Sequence, residues 1–296
     1  MPDKPIKLPA AMRQLPPMPK VLARALSIIR DPNSRRSDLA EVLALDQGLT
    51  GLFLRMVNSA YYGLPRRITS LDEAIGYLGF NTVQETILAV SVNKLLSQPV
   101  PSYLLERTQL WQHSIAVATG GDWIAHRRGL TPYSEVYVAG LLHDVGKLAL
   151  DIMLEHKAKW QQPETPSQPG NGKQLRAADP SEIEAWTEFE RATTGYQHAE
   201  VSAVVVRSWN LPDRVVEAIA CHHAPETATI DRRLASAVHI ADAAALMAGI
   251  GLGIDGLQYP ISEVAVAELQ WTDEDMALLM IEMQRAVARA EEIVAV

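Results

Sequence analysis

The chain has 296 residues, 48% hydrophobic and 21% charged, the make-up of a soluble globular protein long enough for a large core in one or two domains. Its net charge of −8 argues against direct nucleic-acid binding, which needs clustered Lys and Arg against phosphates. The single cysteine, Cys221, excludes an intramolecular disulfide and fits a reducing cytoplasm.

The opening "MPDKPIKLPAAM" lacks the apolar run of a signal peptide. The longest apolar stretch, "LASAVHIADAAALMAGIGLGI", is interrupted by His239 and Asp242 and makes a poor membrane span. A cytoplasmic protein with no membrane contact is expected.

Helical period governs almost every long segment, and no alternating strand or Asn-Gly hairpin stands out. Residues 17–30 carry Val21, Leu22, Ala25, Leu26 and Ile29 on one face and stop at Asp31 and Pro32. Ser37 and Asp38 start a second helix with Leu39, Val42 and Leu43. A third spans 48–59 and breaks at Gly63, Leu64 and Pro65. Ser70, with Glu73 three residues on, has the form of a capping box for the next. Residues 81–97 complete a first helical group, and Pro99, Val100 and Pro101 mark a joint.

Beyond the joint, helices are expected over 103–128, 134–155, 181–194, 198–209, 213–223 and 232–248. Residues 161–180, "QQPETPSQPGNGKQLRAADP", form a Pro-, Gly- and Gln-rich surface loop. From Thr272 a last amphipathic helix carries Met276, Leu279, Met280, Met283, Ala286 and Val287 at spacings of three and four. The fold class is therefore all-α: an N-terminal helical bundle over 1–98, a helical core over 99–250 and a C-terminal helical extension over 251–296.

Eight histidines carry the functional signal. His113 shares an apolar face with Leu110, Ala116 and Val117; His198 lies with Val201 and Val205; His222 follows Val215, Ala218 and Ile219. Asp242 stands where Val238, Ala245 and Leu246 form an apolar stripe, and "GLLHDVGKLAL" sets His143 and Asp144 among leucines. One such histidine is ordinarily a satisfied core residue, and His143 with Asp144 could simply brace a helix end. Several imidazoles and two carboxylates on the apolar faces of separate helices are different, because a buried carboxylate costs several kcal/mol unless paired or bound to a cation. Neutral imidazoles with carboxylates suit a divalent Fe, Mn, Zn or Ni ion. The adjacent His222 and His223 can share a site only if their helix ends there, since neighbours on a helix point about 100° apart.

Other positions have plainer readings. Cys221 is a small packing residue, and Met276, Met280 and Met283 of the last helix have the look of a partner-binding stripe, for which core filler is the commoner reading. His126 and His156, among charged neighbours, are surface residues. Tyr61 and Tyr62 in "NSAYYGLP" are either a recognition surface or an aromatic turn packed between subdomains. His239, three residues before Asp242, could hold that carboxylate in place.

In order along the chain, His113, His143 with Asp144, and Asp242 resemble the metal-binding pattern of the HD superfamily of metal-dependent phosphohydrolases. His198, His222 and His223 are similar to the histidines with which the HD-GYP cyclic-dinucleotide phosphodiesterases hold a second metal, and Lys147 in "HDVGK" to a phosphate-contacting lysine of that group. The resemblance is closer to HDOD domains, the HD-related output domains of bacterial signal transduction. It runs from "LPPMPKVLARAL" through "NSAYYGLPRRITSLDEAIGYLGFNTV", "WQHSIAVA" and "GLLHDVGKLAL" to "ASAVHIADAAA", over about residues 15–250. The Gly-Tyr-Pro stretch of HD-GYP enzymes is missing: "APETATIDRR" follows His223, and Gln109 stands where some members carry a glutamate ligand.

The resemblance implies an HD-like core and a mono- or dinuclear divalent metal site formed by His113, His143, Asp144, His198, His222, His223 and Asp242. It implies a non-catalytic signalling module acting on a signalling protein partner. The alternative is a phosphohydrolase of a nucleotide or cyclic dinucleotide, in which metals activate water, Asp144 orients it and Lys147 holds a phosphate oxygen.

Overall fold

The structure, a computed structural model, describes residues 18–31, 33–44, 47–58, 64, 66–156, 181–254 and 260–294. The expectations for Tyr61, Tyr62 and the 161–180 loop fall outside them. Among the described residues there are fourteen α-helices, two short 3-10 turns and no strand, as the all-α reading requires. Val100 and Leu105 alone form an isolated bridge.

Five helices precede the expected joint: α1 (Lys20–Arg30), α2 (Arg36–Ala44), α3 (Gln47–Val57), α4 (Leu71–Leu78) and α5 (Phe80–Leu96). Their apolar faces meet at Leu22, Leu26, Leu39, Leu43, Phe53, Ile75 and Ile87, all buried. Ser70 caps α4 by accepting the Glu73 N–H at 3.3 Å. Only that half of the box forms, because the Glu73 carboxylate turns to Arg66. Asn58 closes the loop after α3: its amide donates to the carbonyls of Leu54 and Ile68, and its Oδ1 accepts the Ile68 N–H.

The second part contains α6 (Gln109–Arg128), α7 (Tyr133–Leu142), α8 (Gly146–His156), α9 (Ser181–Thr194), α10 (His198–Ser208), α11 (Asp213–Ala220) and α12 (Arg232–Met247). Helix α6 begins later than its apolar period suggests. Leu104 and Thr108 take positive φ angles of 57° and 71°, which a continuing α-helix cannot accommodate. The helix read over 134–155 is two helices, interrupted at His143, Asp144 and Val145.

Two more helices follow, α13 (Glu263–Leu269), which the period does not reveal, and α14 (Asp273–Val294). Thr272 and Asp275 cap α14 reciprocally: the Thr272 hydroxyl accepts the Asp275 N–H, and the Asp275 carboxylate accepts the Thr272 N–H. Asp275 also pairs with Arg127 and Arg128 at the end of α6, so α14 lies along α6 and also reaches α3. Met276 and Met283 are buried in that seam, as core filler. One continuous core runs from Leu22 through Trp111 to Met283. The Trp111 indole crosses the joint and donates to the Ala89 carbonyl of α5 at 3.1 Å. No helix among the described residues is long and apolar enough to cross a membrane.

Candidate metal centre

The break between α7 and α8 is what makes a site of "HDVGK". On an unbroken helix His143 and Asp144 would diverge by about 100°. Instead the Val145 N–H donates to Leu142 O and the Lys147 N–H to Asp144 O, forming a turn that faces both side chains the same way. Gly146 makes the turn possible by lying directly against α10, where its N–H donates to Ser202 Oγ at 2.8 Å. A Cβ at Gly146 would lie 2.3 Å from the His198 carbonyl oxygen. Helix α11 likewise stops at Ala220, so His222 and His223 follow in a turn and can both point inward.

Asp144 is the hub. Its Oδ2 lies 3.4 Å from His143 Nε2, 3.7 Å from His113 Nε2 and 2.8 Å from Lys147 Nζ. Its Oδ1 faces the other way, 3.3 Å from His198 Nε2 and 3.9 Å from His222 Nε2. Asp242, from α12, reaches His113 Nε2 at 3.0 Å and His143 Nε2 at 3.7 Å. His223 Nε2 is 2.7 Å from His198 Nε2. All seven candidate ligands therefore converge, six of them buried and His223 half-buried. Lys147 is buried, and the Tyr103 ring lies beneath its ammonium at 5.5 Å.

The far sides of His113, His143, His198 and His222 are anchored, which leaves their Nε2 atoms to face the centre. His143 Nδ1 donates to Gly140 O and His222 Nδ1 to Ile219 O, both at 2.7 Å, and His113 Nδ1 faces Ile250 O at 3.3 Å. His198 Nδ1 is held by both oxygens of Glu190, at 2.8 and 3.0 Å. Glu190 also accepts the His198 backbone N–H and the Tyr103 hydroxyl, so this fully buried carboxylate is saturated. Sequence reasoning missed Glu190. The available signal was its position four residues after Trp186, on the apolar face of α9.

His239 does not brace Asp242. Its Nδ1 donates to the His222 carbonyl at 2.7 Å and its Nε2 accepts the Ser262 N–H at 2.8 Å, so it fixes the turn that carries His222 and His223. The Gln109 side-chain oxygen accepts the Glu106 N–H at 2.6 Å, in the turn that leads into α6. His126 is on the surface, stacked on Tyr133. Cys221 is a free, half-buried thiol packed on the core.

The electrostatics are those of a cation site. Burial alone would push His143 down, but the Asp144 and Asp242 carboxylates outweigh it and lift the imidazole to about 10. His198 is raised against its burial by Glu190 and Asp144. Burial opposes ionisation of Asp144 too, yet His143, Lys147 and His198 hold it well below the usual carboxylate range. Asp242 is held low in the same way by His113 and His143. For the last pair, burial first and then the neighbouring imidazoles outweigh the pull of Asp144 and Asp242, lowering His222 to about 3 and His223 as well and keeping both neutral and able to ligate.

These residues fit a metal. His143 Nε2 and Asp144 Oδ1 are buried without a hydrogen bond. Three groups of donor atoms lie within 4.8 Å of one another: His113, His143 and Asp144; His143, His222 and Asp242; and His198, His222 and His223. The cavity at the centre is small, with about 10 Å³ of space, and is lined by Leu105, Leu110, Trp186, Leu246 and Gly251 around the polar groups.

The sequence profile of the HDOD domain matches residues 15–225. The fold is shared with a crystallised HDOD domain protein of unknown function from Geobacter sulfurreducens. The identity is 24% and the TM-score 0.67, covering 97% of this chain and 98% of that one. A crystallised Marinobacter aquaeolei VT8 protein, provisionally named for signal transduction, is similar over 95% of this chain and 58% of its own, at 22% identity and a TM-score of 0.66. An uncharacterized protein of Treponema pallidum is 25% identical over 210 residues; the match spans 71% of this chain and 37% of that relative. With its profile matched across both helical groups and its fold shared end to end, the chain belongs to the HDOD domain family.

Proposed function

We propose that the protein is a non-catalytic signalling module whose HD-type centre binds one or two divalent metal ions as a structural core and which works through contacts with a signalling protein partner. The carrying observation is the size of the central cavity. About 10 Å³ beside the donors is room for roughly one water, which favours a structural centre. Leu105, Trp186, Leu246 and Gly251 line the cavity beside the donors. Lys147, the group that would hold a phosphate oxygen, instead pairs with Asp144 at 2.8 Å.

The donors divide into two half-sites that share Asp144. His113, His143, Asp144 Oδ2 and Asp242 would hold one ion, and His198, His222, His223 and Asp144 Oδ1 the other. Nitrogens 2.7 Å apart, as in His198 and His223, approach the spacing of about 3 Å for neighbouring ligands on an ion with bonds near 2 Å.

The completeness of this donor set supports a second reading, a metal-dependent phosphohydrolase of a nucleotide or cyclic dinucleotide. Bound metal would supply an activated water there, Asp144 would orient it and Lys147 would leave Asp144 for a phosphate oxygen. Incubation of the Mn- and Fe-loaded protein with a panel of nucleotides and cyclic dinucleotides separates the two. The module reading expects no turnover, with chelation lowering the unfolding midpoint. Robust turnover that disappears in His143→Ala and Asp144→Ala would establish the hydrolase.

A further inference from the structure

A second cavity, of about 490 Å³, opens where α1 and α5 meet α6 and α7, a volume within the range of small-molecule sites. Gln84, Leu88 and Tyr137 form its buried floor. Phe80, Glu85, Asp122 and Tyr133 are half-buried walls, and Asp31, Asn81, Thr131 and Pro132 form an exposed rim. Apolar and aromatic surface is thus combined with three carboxylates, and none of the described lining residues is Lys or Arg.

The polar groups on the α5 side are unusual because the chain leaves them unmatched. Gln84 is 7% exposed, and among the described residues its amide makes no hydrogen bond. The Glu85 carboxyl, one residue on, makes none either; the Tyr137 hydroxyl donates to the Glu85 backbone carbonyl instead. Neither group is sealed from the cleft, so water or the donors of a ligand can reach both there. The Asp122 charge on α6 acts on Glu85, and the Asp122 carboxylate lies 3.2 Å from the His126 ring, which is stacked on Tyr133. The Arg289 charge also acts on Glu85, in the direction opposite to Asp122.

We propose that this cleft binds a small organic cation, an amine or guanidinium compound, whose charged donors sit between Glu85 and Asp122 with the Gln84 amide as a further partner and the Tyr133 and Phe80 rings as walls. The carboxylates exclude phosphates and other anions, while aromatic faces beside them suit a weakly hydrated cation. The state of Glu85 agrees. Burial first, then the Asp122 charge, raises it to about 8, with Arg289 acting in the opposite direction. Near neutrality Glu85 is therefore largely protonated, and an entering cation displaces its proton.

The test is isothermal titration of the whole chain with agmatine and spermidine, with 1,4-butanediol as a neutral control. Agmatine should bind at least tenfold tighter than the diol and release a proton at pH 7. Its affinity should rise towards pH 8 and flatten above it. Glu85→Gln, and separately Asp122→Asn, should weaken agmatine at least tenfold while the helical circular dichroism is unchanged; two variants guard against one misfolding. Agmatine binding no tighter than the diol, binding unaffected by both variants, or equal competition by Mg²⁺ would overturn the proposal, the last by making the cleft an inorganic cation site.

Discussion

Glu190 holds His198 from behind: both carboxylate oxygens reach the Nδ1, at 2.8 and 3.0 Å, so the Nε2 is fixed facing Asp144 and His223. A carboxylate in this position sets the tautomer, orients the ring and makes the imidazole a stronger donor to a metal. Glu190→Gln keeps an acceptor but removes the charge. We expect metal affinity to fall by about 10- to 100-fold, with secondary structure intact, in competition titrations against a chromophoric chelator. Tyr103→Phe removes a single hydrogen bond to Glu190 and should cost about 1 kcal/mol of stability with a smaller effect on metal.

The two faces of Asp144 make a stoichiometric prediction. If each oxygen serves a different ion, Asp144→Ala should lose both equivalents of metal. His223→Ala should lose only the half-site it shares with His198, and Asp242→Ala only the half-site it shares with His113. Elemental analysis after dialysis against Mn²⁺ or Zn²⁺ reads the outcome directly. One equivalent in the native chain, lost in every variant, would replace the dinuclear assignment with a single ion.

Asp144 also neutralises a buried lysine. Removing one partner of a buried pair costs about 3–5 kcal/mol, because the remaining charge is left in the interior. Asp144→Ala should therefore unfold at markedly lower denaturant in metal-free buffer, and adding Lys147→Met should restore much of the loss. Equal, additive losses in the double variant would mean that Lys147 and Asp144 are not energetically coupled.

How much of this was legible in the sequence depended on whether a residue violated its local pattern. His113, His143, His198, His222 and Asp242 interrupt apolar stripes, and such violations are visible in one dimension. Glu190 hides because α9, "SEIEAWTEFERATT", contains four glutamates, and only docking against α8 and α10 singles one of them out. The break at 143–145 was invisible for the opposite reason. The apolar period runs straight through it, and the force that splits the helix is tertiary, the close approach of Gly146 to α10. Helix α13 is only seven residues long, too short for a period to register.

Glu217 predicts a pH dependence outside the centre. Burial disfavours its charge, but the N–H groups of Thr229, Ile230 and Asp231 and the Thr229 hydroxyl all donate to it, and together they hold it below its ordinary value. A carboxylate lowered in the folded state stabilises above the unfolded value, near 4.5, and loses that contribution as pH falls through the folded one. Glu217→Gln should cost about 2–3 kcal/mol at pH 7. The gap from the native chain should stay level between pH 6 and 8, narrow below about 4.5 and flatten again once the folded carboxylate is protonated. Denaturant unfolding at each pH measures it, and a gap independent of pH down to 3 would contradict the assignment.

Gly146 and Gly76 form a matched pair of tests for the turn that builds the centre. A Cβ on Gly146 would meet three atoms of α10: the His198 carbonyl oxygen at 2.3 Å, the Ser202 nitrogen at 2.6 Å and the Ser202 hydroxyl at 2.8 Å. Two of these belong to the backbone and cannot turn aside, so Gly146→Ala must push α8 and α10 apart. Overpacking of this kind costs about 3 kcal/mol. It would also carry His198 away from Asp144, so metal binding should weaken with stability. Gly76 lies on the exposed side of α4, and a Cβ there meets nothing within 4 Å. Gly76→Ala should stabilise the chain by about 0.5–1 kcal/mol, chiefly by restricting the unfolded state, with metal affinity unchanged. The same substitution thus has opposite signs at the two sites. If Gly146→Ala is as stable as the native chain and binds metal equally well, the close packing of "HDVGK" against α10 is not what aims His143 and Asp144.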